Sequence, residues 1–474
     1  MRLSVSLIGL ILISAILSCT NSSKTSSTIL ITGATLFDGT GAPGIENSII
    51  VIKDGKIDCA GNRDICDIPK GAEHVKAEGK YITPGLVDAH MHFFQTAFFD
   101  SRPDALDLND SLPIAEVIAY QQQNPQRYYD SYLCSGVTAV YDVGGMSWSI
   151  GLQKTAENNP RAPHVAAAGP LITPVIGAPF DLPSDKVLVP LTSADQGIKT
   201  VQYLSELGST GIKFWQLRAN DPEYMDWISA SAMEIEKRGN QMIAHATSLE
   251  QAKAALRNGA KLLVHSVENT EVDDEFIELA KENGTFYNPT LIVGSGYMLT
   301  YRATADIENF QITDPNRCVD PKTKALLENA AQFKNHPRFE NSNLMIRIQN
   351  FDVSTDRVSS LQLKNLKTIF DAGIPIVVGT DAGNPGTLHG ISIYEEMEAM
   401  QSAGIPAKDI IVMATKNGAA AMRRADDFGT IEAGKFGNLI ILDKDPSIDI
   451  SNMRSISHVM IKGNLNEVSS FSSQ

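Results

Sequence analysis

The sequence predicts an α/β protein: a (β/α)8 TIM barrel with a small β-sandwich formed by the N- and C-terminal flanks. Three observations predict it. Between residues 85 and 426, eight short apolar runs alternate with amphipathic helical patterns. Near-continuous apolar strands of this kind belong to a parallel sheet covered by helices. Both flanks, 29–84 and 427–474, read instead as strands joined by Gly-containing turns. Last, the chemistry-bearing residues of the middle region fall at the C-terminal ends of the apolar runs, the rim on which such a barrel builds its active site.

The first residues stand apart. Met1-Arg2 is a basic head and Leu3 to Leu17 is mostly apolar, so residues 1–18 read as a secretory signal. Ile16-Leu17-Ser18-Cys19 has a bulky residue where a simple cleavable signal needs a small one, followed by cysteine. That resembles the bacterial lipobox. It implies that Cys19 is lipidated and that the exported chain is anchored to a bacterial membrane, facing the periplasm or the cell surface. Each buried CH2 of such an anchor contributes about 0.8 kcal/mol. An ordinary signal peptide and an uncleaved anchor are the competing readings. Residues 19–28 are a polar tether.

In the N-terminal flank, Ile29-Leu30-Ile31, Ser48 to Ile52 and Lys56-Ile57-Asp58 are strand-like, and Asp54-Gly55 is a hairpin turn. In the C-terminal flank, Asn438 to Leu442 and His458 to Ile461 are strands, followed by a turn at Lys462-Gly463-Asn464. Two strand-rich flanks around one large middle predict co-assembly into one sandwich. Cys59 and Cys66 could pair in an oxidising compartment, but two reduced, buried thiols are favoured. Cys134 and Cys318 read as buried or unpaired, and none of the four has metal-site spacing.

The barrel region opens with Thr83 to Phe93, which ends in His90-Met91-His92. Strand side chains alternate faces, so the two histidines project to one side, where they can grip one metal ion. Further runs lie at 137–141, 164–168, 211–215, 241–245, 261–265, 285–292 and 375–381. Lys213 sits in the fourth, His245 ends the fifth, His265 the sixth and Asp381 the eighth. Six metal-capable or metal-bridging groups thus share one rim. His164 starts the third run, the wrong end, and reads as structural; His74 and His458 belong to the β layer. His336 lies in a polar insertion, 294–356, which is either a lid or surface decoration. His389 follows the eighth strand closely enough to contact substrate.

A surplus of 55 acidic over 40 basic residues gives a net charge of −15, which repels phosphate backbones and argues against nucleic-acid binding. The number of subunits is not set by the sequence.

His90-Met91-His92, Lys213, His245, His265 and Asp381, with the enclosing β layer, resemble the metal-dependent amidohydrolase superfamily, in its imidazolonepropionase-like or prolidase-like branch. Supporting motifs are Gly136 to Gly145, Gly379 to Gly386 and Gly429 to Lys435. The chain departs from the pattern at Tyr141, where relatives often carry Arg, which bears on substrate contacts, and at Gly437-Asn438, where Ala-Asp is usual. The resemblance implies two divalent ions, zinc in the first instance. His90, His92 and Asp381 would hold one and His245 and His265 the other, with Lys213 bridging them as a CO2-derived carbamate. It further implies a metal-bridging hydroxide as nucleophile and Asp381 as general acid/base, cleaving a C–N bond in a small amide, dipeptide or cyclic amide. A mononuclear deaminase-like site (His90, His92, His245 and Asp381), a lactonase and an inactive binding lipoprotein are the alternatives. The loop Gly383 to Gly386, ahead of a helix beginning near Gly390, suits a substrate carboxylate.

Overall fold

The computed structural model describes residues 28–177, 179 and 181–473. The signal segment, Cys19 and tether residues 19–27 lie outside the described residues.

Two sheets make the β layer. One comes from the N-terminal flank alone, in the order Lys56–Gly61, Ile49–Lys53, Thr28–Thr32, Glu73–Lys76. The other interleaves the two ends: Asn464–Glu467, Ile456–Ile461, Leu439–Leu442, Tyr81–Pro84, Thr35–Leu36. Leu439–Leu442 explains why the ends must meet, because all four of its side chains are buried. By the two-residue strand period, Leu439 and Ile441 pack between the sheets with Ile31, Ile50 and Ile82, while Ile440 and Leu442 join the core shared with the barrel helices. Gly136, at φ +75°, lets the barrel approach this layer: a Cβ there would stand 2.7 Å from Ile456 Cδ1.

In the barrel, Leu86–Met91, Val137–Asp142 and His164–Ala167 pair in parallel. The third strand bends at Gly169-Pro170 and resumes as Leu171–Thr173, which pairs with Ile212–Phe214. Met242–His245, Leu262–Val264 and Phe286–Asn288 follow in register. The eighth run is extended rather than a regular strand, yet it closes the circle. Val377 N donates to Tyr287 O at 3.0 Å and Ala89 N to Val378 O at 2.9 Å. Helix starts are capped as their sequences require, Ser248 accepting from Gln251 N and Asp273 from Phe276 N.

Two sequence expectations are corrected. Cys59 pairs with Cys66, and Cys134 with Cys318. The first pair closes because the short 3-10 turn Arg63–Ile65 folds the chain back beside Lys56–Gly61. The second joins residues 184 apart, a contact with no local pattern. It also defines the insertion, which Cys318 and an Arg127–Asp320 ion pair fasten to the barrel. The insertion's first helix, Val293–Thr304, supplies Val293 and Tyr297 to the wall of the central cavity.

Candidate active site

A cavity of about 230 Å³ opens at the C-terminal mouth of the barrel. His90, His92, Lys213, His245, His265 and Asp381 all line it. Strand alternation explains Lys213: Ile212 and Phe214 pack outward in the helix-facing core, which turns the lysine inward. The first strand is bulged between Asp88 and Met91, a device that re-aims side chains beside a site.

The two histidines of that strand face one atom. His90 Nε2 lies 3.2 Å and His92 Nε2 2.8 Å from Asp381 Oδ1. Each ring is fixed from behind. His92 Nδ1 donates to the Gly144 carbonyl at 2.6 Å, and His90 Nδ1 donates to Asn288 Oδ1 at 3.1 Å. These tautomers follow from the partners, since a carbonyl oxygen only accepts. His265 Nδ1 meets Thr290 Oγ1 at 2.8 Å, and its ring lies 4.4 Å from that of His245. Asp381 (φ +59°) and His265 (φ +77°) both hold left-handed backbone, which costs on the order of 1–3 kcal/mol each and concentrates at functional sites.

Asp381 is anchored on both sides. Its N–H and that of Thr380 donate to His90 O, at 2.7 and 3.1 Å. Buried Asp88 accepts from Thr380 N at 3.0 Å and Thr380 Oγ1 at 2.7 Å.

The electrostatics favour lone pairs over protons. Burial brings the Lys213 amine down to about 7. Burial, reinforced by the Lys213 charge, takes His245 to about 3. Burial also holds His90 and His265 well below the usual imidazole range. For Asp381 burial opposes the charge, but the imidazoles ranged before it, His90 and then His92, hold it well below the carboxylate range. His92 is the exception: against burial, Asp142 and Asp381 raise it to about 9. A buried carboxylate oxygen faced by two ring nitrogens, both rings held from behind through Nδ1, fits a cation that would take the place of the His92 proton. Ligand atoms of His90, His265 and Asp381 lie within 4.8 Å of one another, and this imidazole–carboxylate set suits a divalent transition metal.

The other predicted residues lie elsewhere. Tyr141 is buried in the barrel interior with its hydroxyl 3.1 Å from Gln241 Nε2. His389 packs behind the site, stacked 3.7 Å from Tyr128 and donating from Nε2 to His92 O at 3.0 Å. Neither is in the cavity wall, and the helix after the eighth strand, Ser392–Ser402, contributes nothing to it. His164 stacks on Phe428 and bonds Glu157 at 2.8 Å, a packing role. Sequence reading passed over Arg102, Tyr297 and Asn384. The Arg102 guanidinium lines the cavity, forks onto Asp104 (2.8 and 2.7 Å), donates to Asn384 Oδ1 and lies over the Tyr297 ring. Phe94, Leu171, Val187, Leu188 and Trp215 make an apolar contribution to the wall.

A parallel barrel whose mouth gathers four histidines, a lysine and a strained aspartate defines a metal-binding enzyme scaffold. The chain belongs to the amidohydrolase family, whose model matches residues 81–465. Among curated proteins it is 36% identical over 104 residues to a 5-methylthioadenosine/S-adenosylhomocysteine deaminase of Halalkalibacterium halodurans, covering 19% of this chain and 23% of that one. It is 38% identical over 80 residues to an imidazolonepropionase of Bacteroides fragilis, covering 17% and 19%. The matches thus span only about a fifth of these relatives' lengths. Among solved structures, a Xaa-Pro dipeptidase with methionine in its active site superposes with a TM-score of 0.67 at 22% identity, covering 93% of this chain and all of that one. Molinate hydrolase does so at 0.66 and 22%, covering 94% and 95%. At such identities the likeness establishes the fold.

Proposed function

We propose that this protein is a metal-dependent hydrolase that cleaves a C–N bond in a small amide or peptide. The observation that carries the reading is the convergence of His90 and His92 on one buried oxygen of Asp381, with His265 beside them. A divalent ion held by His90, His265 and Asp381 would supply a Lewis acid for the substrate carbonyl and would lower the pKa of a water to about 7. Asp381 would take the proton of the attacking water and return it to the leaving nitrogen. Val293 and Tyr297, from the helix that leads into the insertion, form part of the cavity wall.

One ion, held by His90, His265 and Asp381, is the stoichiometry the donor cluster supports best; it shares the single-ion count of the deaminase-like alternative, with His265 where that set has His92 and His245. A second reading has two ions, probed through Lys213. A neutral amine adds CO2 with loss of one proton, and a lysine brought to about 7 by burial is neutral at mildly alkaline pH. The carbamate formed would be an anionic oxygen ligand beside His245 and His265.

The substrate class we propose carries a carboxylate, as a dipeptide or N-acyl amino acid does. Arg102 supplies the cation in the wall; its Nε/Nη2 fork is held by Asp104, and the remaining Nη protons are those available to a substrate carboxylate. The apolar residues opposite suit an apolar acyl or side-chain group, and about 230 Å³ suits a small molecule. Export is supported by the two disulfides, which persist in oxidising compartments; lipidation at Cys19 would make the anchor.

The test is metal content per chain, with bicarbonate present, followed by a peptide screen. One equivalent that is insensitive to Lys213→Ala supports the single-ion site, and two that fall in that variant support the carbamate. No metal under any loading overturns the hydrolase reading in favour of a binding lipoprotein. Equal turnover of a dipeptide and its C-terminal amide overturns the carboxylate.

A further inference from the structure

Asn288 ends the seventh barrel strand and is fully buried. Its hydrogen bonds account for its whole polar capacity on the side facing the site. Nδ2 donates to the carbonyls of Val377 (3.3 Å) and Gly379 (3.2 Å), both in the extended eighth run. With the amide protons so placed, Oδ1 is the atom that faces His90 Nδ1, and it accepts that proton at 3.1 Å. The Asn288 main-chain carbonyl accepts from His265 N at 2.9 Å, at the residue whose φ is +77°.

One side chain and its own carbonyl therefore reach three ligand-bearing segments. They fix the His90 ring, the His265 backbone and the strand two residues ahead of Asp381. The position opposite is shaped to admit this contact. A Cβ on Gly379 would stand 2.6 Å from Asn288 Nδ2 and 2.8 Å from His90 Cβ. Glycine is needed at 379 for space, because any side chain would drive into the Asn288–His90 pair.

We propose that Asn288, with Gly379 as its steric counterpart, is the positioning residue that sets metal affinity at this site. It commits the His90 proton to Nδ1, so that the Nε2 lone pair is presented beside Asp381 Oδ1. It also ties the strands that deliver His90, His265 and Asp381 into one register. Asn288 touches neither substrate nor ion; it acts through His90. The inference rests on the metal-dependent reading of the site.

The experiment measures zinc dissociation constants by competition with a chromophoric chelator, for wild type, Asn288→Leu, Asn288→Asp and Gly379→Ala. Thermal midpoints of the chelator-stripped proteins are measured alongside. Loss of an outer hydrogen bond to a ligating histidine weakens metal binding roughly 10- to 100-fold, and that loss is expected for Asn288→Leu. Asn288→Asp keeps an acceptor opposite His90 Nδ1 and is expected to retain most of the affinity, although it loses the donors to Val377 and Gly379. Gly379→Ala, which keeps the asparagine but drives its side chain away from His90, is expected to weaken binding too, and it decides the matter if Asn288→Leu fails to fold. Unchanged affinity in both Asn288→Leu and Gly379→Ala overturns the proposal. So does equal loss in Asn288→Leu and Asn288→Asp, which would assign the residue to strand packing alone. Wild-type protein that binds no zinc overturns the metal reading itself, an outcome visible before any variant is compared.

Discussion

Replacing Lys213 by methionine in chelator-stripped, bicarbonate-free protein tests the charge state on which the second metal reading depends. Lys213 is 1% exposed, and burial lowers its amine from 10.5 to about 7 against the single opposing influence of Asp381. In the unfolded chain the amine stays protonated to about 10.4. Below pH 7 both states carry the proton, and the full cost of burying the ammonium is present. Between pH 7 and about 10 the unfolded state holds one more proton than the folded state, so this residue's cost is lifted as pH rises. The slope is about 1.4 kcal/mol per pH unit. Methionine fills similar volume without the charge and removes that slope. The stability of Lys213→Met relative to wild type should therefore be most favourable below pH 7 and, because the folded-state amine is already half deprotonated at pH 7, decline by about 2.3 kcal/mol between pH 7 and pH 9. Other groups titrate in this window, His92 at about 9 and Glu396 at about 8, but both chains carry them and they cancel in the difference. Urea unfolding at pH 7, 8 and 9 reads the quantity directly. A difference that does not change with pH would mean that the buried lysine keeps its proton, and would remove the neutral amine that carbamate formation requires.

Three further outcomes are expected. Loop-closure entropy makes the Cys134–Cys318 bridge, spanning 184 residues, worth about 5 kcal/mol and the Cys59–Cys66 bridge, spanning 7, about 2 kcal/mol; urea midpoints of the two double Cys→Ala variants should fall in that order, and the reverse order would refute the assignment. Arg102→Ala should lower kcat/KM for a carboxylate-bearing substrate by about 10- to 150-fold, the worth of a charged hydrogen bond of about 1.5–3 kcal/mol, and leave the matching C-terminal amide unchanged; equal losses on both would remove Arg102 from recognition. Gly386→Ala should unfold the protein at markedly lower temperature, because Gly386 has φ +78° and a Cβ would stand 2.2 Å from the Gly296 carbonyl oxygen; an unchanged Tm would show that the loop and the insertion helix can separate freely.

The six residues at the rim were legible because two rules place them without any tertiary information. Strand alternation assigns the face, and the barrel assigns the end. His164 could be set aside by the same logic. Where neither rule applies, the sequence is silent. Tyr141 lies one residue before the end of its strand, and its face, not its nearness to the rim, decides that it enters the barrel interior beside Gln241. His389 follows the eighth strand by only a few residues, but the left-handed glycines Gly383 and Gly386 turn the chain before it reaches His389, which lies behind His92. Arg102 comes from a segment without period, Tyr297 from a helix of the insertion that no strand or barrel rule aims at the mouth, and Asn288 is one amide in a three-residue strand. Cys134 and Cys318 meet only because the insertion returns to the barrel, so their pairing is a property of the whole fold.

The same geometry explains two buried carboxyls that take no part in lining the cavity. Burial raises Asp88 to about 7 and Glu396 to about 8, an unfavourable environment for either charge. Each is spent on backbone N–H groups at a turn that serves a ligand. Asp88 holds Thr380 immediately before the left-handed Asp381. Glu396 accepts from Leu291 N at 2.9 Å and Ile292 N at 3.2 Å, immediately after Thr290 at φ +44°, whose hydroxyl steadies His265. Left-handed backbone at non-glycine residues persists only where its surroundings over-determine it. Two desolvated carboxyls bonded to the neighbouring amides supply that constraint, so the strain at the site and the buried acids beneath it are two parts of one arrangement.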